Sequence, residues 1–125
     1  MRKRPTASEL EILSVLWSRG PSTVREIHEQ LSVGKPTGYT TVLKMLQIMT
    51  GKDLVLRDEA QRAHVYRARI PQERTQTQLV RELVDKAFAG SAASLVMHAL
   101  SGKRASAEEL AEIRELLDDM EGETK

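Results

Sequence analysis

Apolar positions recur with helical spacing in six stretches of this chain and with strand-like spacing in two short ones. Leu10, Leu13, Val15, Leu16 and Trp17 form the first stripe. Thr6 or Ser8 can cap that helix, with Glu9 or Glu11 three residues on, and Gly20-Pro21 stops it. Ser22 or Thr23 can cap a second helix lined by Val24, Ile27, His28 and Leu31. The run Gly34 to Gly38 is a turn-rich connector. A third helix is expected from about Tyr39 to Thr50. At 100° per residue, Val42, Met45, Leu46 and Met49 fall on one side. Thr40, Leu43, Lys44 and Gln47 fall opposite, with Ile48 at the margin. The period then shortens. Leu54–Leu56 and Ala63–Ile70 are expected as strands, joined by a polar tip from Asp58 to Arg62. Two strands alone are marginal, so this hairpin must lean on the helices.

Pro71 ends the sheet and can open a fourth helix, with Leu79, Val80, Leu83, Val84, Ala87 and Phe88 on one face. Gly90 breaks it. Ser91 can cap a short apolar helix through Leu100, and residues 101–104 are expected as a loop. Ser106 and Glu109 form a capping-box pair for a last helix striped by Leu110, Ile113, Leu116, Leu117 and Met120. The tail from Glu121 to Lys125 is expected to fray. There is no internal repeat.

Composition changes this picture little. Apolar residues are 40% and charged residues 30% of 125 residues, which suits one soluble domain with an oligomerisation segment. Aromatic residues are only 3%, so the core must be aliphatic. The absence of cysteine excludes a disulfide scaffold and thiolate metal or redox chemistry. No apolar stretch has secretory or membrane-spanning length, so a cytoplasmic protein without a membrane partner is expected. Charge matters more. Residues 1–70 carry 12 Lys and Arg against 7 Asp and Glu, a balance of +5; residues 71–125 carry 7 against 11, a balance of −4. A basic module joined to an acidic one suggests that only the first half meets a polyanion.

Three helices followed by a hairpin is the order of a winged helix-turn-helix, so a mainly α chain is expected. Residues 1–70 would form the DNA-binding domain and residues 71–125 a helical dimerisation domain. Such a fold lays its third helix in the major groove. That helix needs one apolar face for the core and one carboxylate-free polar face for the groove. Residues 39–50 meet both conditions: there is no Asp or Glu from Tyr39 to Lys52. Thr40 and Gln47 offer neutral hydrogen bonds, Lys44 a charge for phosphate or guanine, and Leu43 a surface for a thymine methyl. Lys35, Tyr39 and Thr41 are placed to hold phosphates at the groove edge, and Arg62 and His64 to hold backbone from the hairpin. The distal stripes need a surface to cover, and a second copy supplies one. Leu79, Leu83, Val84, Phe88, Leu95, Val96, Leu110, Ile113 and Leu117 are the expected dimer residues.

The run Gly38-Tyr39-Thr40-Thr41-Val42-Leu43-Lys44-Met45-Leu46-Gln47 resembles the recognition-helix signature of the bacterial penicillinase-repressor family. Glu9 to Leu13, Leu16-Trp17, Thr23 to Ile27, Arg62 to Tyr66 and Gly90 to Val96 are similar to its other segments. The resemblance implies a homodimeric winged-helix repressor on palindromic operator DNA. In resistance members it also implies a membrane sensor that triggers proteolytic cutting of the dimer segment. The sequence departs from the family in several places. Ile48 stands where many members have Arg, and Asp53 where Gly is usual before the wing. His98-Ala99 stands in place of the Asn-Phe cutting site, which argues against a sensor protease as partner. Without cysteine, copper sensing by a cysteine cluster is excluded.

The remaining chemistry is bland. His28, His64 and His98 are scattered without ligand spacing, so no metal or other cofactor is expected. His28 is read as structural, and His98 lies in the dimer segment. Glu108, Glu109, Glu112 and Glu115 read as a solvated helix face. No nucleophile–base pairing and no phosphate-cradling Gly-rich loop occurs, so no catalytic residue and no enzyme is expected. The alternative function is a winged-helix protein-interaction module without DNA binding, favoured by Leu43 and Ile48 if they are exposed.

Overall fold

The computed structural model describes residues 4–102 and 104–123. In chain order they form α1 (Ala7–Arg19), β1 (Ser22–Thr23), α2 (Val24–Ser32), α3 (Tyr39–Gly51), β2 (Val55–Asp58), β3 (Val65–Ala68), α4 (Gln72–Ala87), α5 (Ala92–Gly102) and α6 (Ala107–Glu123). They divide into two compact units, one ending at Gln78 and the other beginning at Leu79.

Local sequence sets the helix starts. Thr6 caps α1 and Thr23 caps α2, each in a reciprocal box with the Glu three residues on. Ser106 and Glu109 do the same for α6, and the Ser91 hydroxyl accepts from Ser94 N–H at the start of α5. Glu9 has a second task. Its Oε1 accepts from Lys52 Nζ at 2.8 Å, tying the start of α1 to the end of α3. Burial alone pushes the Glu9 carboxyl up, but hydrogen bonds from Lys52 and Thr6 outweigh it and hold the group below its ordinary value.

The first unit has one aliphatic core. Ile12, Leu13 and Leu16 of α1, Val24 and Ile27 of α2, and Val42, Leu46 and Met49 of α3 meet Leu54, Val55 and Tyr66 from the sheet. Tyr66 is the largest side chain fully withdrawn from solvent. Trp17, half-buried, donates its indole N–H to the Ile70 carbonyl at 2.9 Å and pins α1 to the exit of β3.

The sheet corrects the expected wing. It has three antiparallel strands in the order β1-β3-β2 rather than two. Ser22 and Thr23, expected only as caps, also pair with Tyr66 and Val65. This third strand is the support that an isolated hairpin lacks. The hairpin strands also shift: Val55 pairs with Ala68 and Asp58 with Val65, so Leu54 precedes the ladder and Ala63, His64, Arg69 and Ile70 lie outside it. Asp58 closes the ladder and bends the chain, its Oδ1 accepting from Ala60 N–H at 2.9 Å as in an Asx turn. Further along, α5 takes in Ser101 and Gly102, expected in the loop. The Ser101 hydroxyl donates to the Met97 carbonyl, a helical back-bond at 2.7 Å. Phe88 lies just past the end of α4. Glu121 remains helical, since α6 runs to Glu123; Thr124 and Lys125 of the expected frayed tail lie outside the described residues, as does Lys103 of the loop.

Asp53 occupies a backbone position that suits Gly. It adopts φ +61°, the left-handed region, directly after α3. Its N–H donates to the Thr50 carbonyl and that of Leu54 to the Met49 carbonyl, the bond pair of a Schellman stop. Asp tolerates this conformation better than most L residues but less well than Gly. Its contact with Arg69 at 3.9 Å is exposed and adds little. Asp53→Gly should therefore raise the urea midpoint and Asp53→Ala lower it, with about 1–2 kcal/mol between the two variants. Equal midpoints would mean that the left-handed stop is not where the strain lies.

Candidate nucleic-acid interface

The approach to α3 is held by side chains of α2. His28 Nε2 lies 2.7 Å from the Thr37 carbonyl oxygen, so that nitrogen carries the proton and donates. The Ser32 hydroxyl reaches the same carbonyl at 3.5 Å, and the Thr37 hydroxyl donates to the Lys35 carbonyl at 3.2 Å. The His28 ring also meets Tyr39 edge-on, with centroids 5.7 Å apart. His28 is structural, as expected, but its partners are the turn and the first residue of α3 rather than the apolar stripe alone.

Helix α3 then presents two unlike faces. Val42, Leu46 and Met49 are fully buried, and Met45 is half-buried. Thr40, Thr41, Lys44 and Gln47 are exposed, as are Tyr39 and, in the preceding turn, Lys35. Ile48 is 48% exposed. Leu43 differs from its expected place: it is half-buried and packs against the core, so only part of it is open to a ligand. No carboxylate lies between Tyr39 and Lys52.

The wing tip carries Arg62 and His64, both exposed. A groove of about 380 Å³ joins them to α3 and α2; Tyr39, Leu43, Arg62, His64, Tyr66 and Arg25 are among its lining. Of the residues singled out from sequence, the groove thus gathers Tyr39, Leu43, Arg62 and His64. Thr40, Thr41, Lys44 and Gln47 lie elsewhere on the exposed α3 surface, beside Ile48, and Lys35 stays on the turn. Arg25 is the residue that sequence reasoning missed. Its only signal was a cation two positions past the helix cap Thr23.

Charge pairing separates cations that are occupied from those that are free. Arg19 pairs with Glu26, Arg57 with Glu59, Lys52 with Glu9 and Arg69 with Asp53. Glu26 is held below its ordinary value first by its bond from the Thr23 backbone and then by Arg19. Among the described residues from Arg19 to Ile70, Lys35, Lys44, Arg62 and Arg67 have no carboxylate partner. Three of these four lie on the turn, α3 and the wing tip. An unpaired cation is ready for a phosphate, whereas a paired one must first be released.

In the second unit the expected dimer residues are only partly covered. Leu83, Val96 and Leu117 are exposed, while Leu79, Val84, Phe88, Leu95, Leu110 and Ile113 are half-buried. Phe88 stacks at a tilt on His98, with centroids 5.4 Å apart. No helix of the described residues is long and apolar enough to cross a membrane.

These features have close parallels. The family model of the penicillinase repressor matches residues 5–119. A transcriptional regulator BlaI of Mycobacterium tuberculosis is 44% identical over 69 residues, covering 53% of this chain and 50% of the relative. The chain thus spans about half the length of that curated relative. A penicillinase repressor of Staphylococcus aureus is 18% identical over 113 residues, 90% of each chain. Among solved structures, a mutant MarR of E. coli complexed with operator DNA has TM-score 0.53 and 19% identity, over 92% of this chain and 74% of that one. RosR of H. salinarum has TM-score 0.51 and 18% identity, over 98% of each chain. The fold is a winged helix, and the chain belongs to the penicillinase repressor family. The curated relatives carry the names of a transcriptional regulator and a repressor.

The His28 contact can be tested by stability. His28→Ala leaves the Thr37 carbonyl without its best donor and should cost about 1–2 kcal/mol in urea unfolding. His28→Gln, whose amide N–H reaches the same place, should restore most of the loss. A Gln variant as unstable as the Ala variant would show that ring packing, not the hydrogen bond, holds the turn.

Proposed function

From that membership and the geometry of α3, we propose that this chain is a homodimeric transcriptional repressor that binds a palindromic operator. Residues 1–70 serve as the DNA-binding domain and residues 71–125 pair two copies. The observation that carries the reading is the exposed, carboxylate-free face of α3, bordered by unpaired cations. Thr40, Lys44 and Gln47 meet base edges or phosphates in the major groove, and Leu43 offers part of its surface to a thymine methyl. Lys35, Tyr39 and Thr41 hold the flanking backbone, and Arg62 and His64 hold it from the wing. The protein works in the cytoplasm, where operator DNA is found.

The exposure of the distal helices supports pairing. No described residue from Leu79 onward is buried, although Leu83, Val96, Met97, Leu100, Leu116, Leu117 and Met120 are large, apolar and exposed. A short unit of three helices cannot keep such a surface in water at little cost. A second copy presents the same stripes and gives a twofold interface. Two α3 helices then address half-sites one helical turn apart, ~34 Å, or a multiple of it. Release by a sensor protease is not part of this reading. His98-Ala99 lies within α5, with His98 Nδ1 at 2.9 Å from the Ser94 carbonyl, and does not match the Asn-Phe cutting site.

The exposed Ile48 favours one rival, a protein dock built on α3. Binding to the chain's own upstream DNA separates the two. The repressor reading expects salt-sensitive binding, with Lys44→Ala lowering affinity and cutting the slope of log K against log salt by about 0.9 per subunit, about 1.8 for the dimer. Binding only to a protein partner, surviving nuclease and high salt, would decide for the dock.

The dimer is tested apart from DNA. Sedimentation equilibrium should give twice the chain mass, and Leu117→Asp should give the single mass without loss of the Trp17 environment. A wild-type monomer at micromolar concentration would contradict the pairing.

A further inference from the structure

We propose that the groove between α2, α3 and the wing tip holds one sugar–phosphate unit of the DNA backbone, with Arg25 and Arg62 gripping its phosphate. The inference rests on the DNA reading and adds Arg25, a residue that reading does not use. The groove, of about 380 Å³, has more room than a bare phosphate fills, and none of its lining residues is acidic. Its lining is of two kinds. The half-buried Leu43, backed by the buried Tyr66, gives an apolar floor, which suits the C–H surface of a deoxyribose. Arg25, Tyr39, Arg62 and His64 give a rim of donors from three different elements. Guanidinium groups match phosphate oxygens in pairs, which a single surface lysine does not.

Both arginines are available. Arg62 has no carboxylate partner among the described residues. Arg25 meets Glu29 at 3.5 Å, but the two side chains are 82% and 67% exposed, and an ion pair so placed is worth little. The charge comes from these side chains and not from the first turn of α2, where Thr23 and Glu26 already cap each other. Position fits as well. Tyr39 and Leu43 line the groove while Thr40, Lys44 and Gln47 stand beside them on α3. The backbone unit in the groove therefore flanks the bases that α3 reads.

The test uses the full chain and a fragment of its upstream DNA in which single phosphates are ethylated. One phosphate beside the α3 footprint should weaken wild-type binding when ethylated, weaken Arg25→Ala and Arg62→Ala less, and leave the double variant Arg25→Ala/Arg62→Ala unaffected. Lys44→Ala should remain sensitive to it. Arg25→Ala should bind several-fold more weakly, with the salt slope reduced by about 0.9 per subunit, about 1.8 for the dimer. Arg25 is exposed, so its removal leaves the fold intact, as circular dichroism will check. Wild-type affinity and slope in Arg25→Ala, with Lys44→Ala weakened, would overturn the clamp and spare the DNA reading. Absence of any salt-sensitive binding by the wild type would overturn both.

Discussion

The dry seam under α3 governs the first unit. Val42, Leu46 and Met49 are wholly removed from water among α1, α2 and the sheet. Burying each side chain of this kind contributes about 1.5–3 kcal/mol. Rotation by one residue would put Gln47 where Leu46 sits, adding an unsatisfied amide to the lost contact. The seam therefore fixes which residues α3 turns outward, and Thr40, Lys44 and Gln47 face solvent because their neighbours cannot. The Schellman stop at Asp53 and the Lys52–Glu9 bond hold the far end of the same helix, and His28 holds the near end.

The small sheet is tied to this seam through Tyr66. The same residue pairs with Ser22 on one side and Arg57 on the other, while its ring enters the core. Because Ser22 and Thr23 are both a strand and the approach to α2, the wing cannot move without α2. That coupling brings Arg25, Tyr39 and Arg62 around one groove. A wing of two strands, as expected from sequence, would have left Arg25 unconnected to it.

What was legible in the sequence was local or periodic. The Thr-x-x-Glu and Ser-x-x-Glu caps need only four residues, and the stripe of α3 needs only its own thirteen. The missing carboxylates of α3 could be counted directly. What escaped depended on distant partners. A two-residue strand such as Ser22–Thr23 has no period of its own and exists only because Tyr66 and Val65 lie beside it. Leu43 was placed outward by angle alone, yet it is half-covered by the core. Arg25 gained meaning only once the wing tip was in place. Asp53 is an intermediate case: its place before the wing was visible, whereas its positive φ was not.

In the proposed repressor, one face of α3 and the wing tip meet DNA while the distal helices pair independently. Amide hydrogen exchange of the full chain, with and without its upstream DNA, tests this most directly. DNA should add protection over residues 39–47 and 59–66 and leave exchange in α1 unchanged, and protection of α5 and α6 should be present without DNA and lost on dilution to monomer. Protection by DNA confined to α5 and α6, or none over residues 39–47, would contradict it.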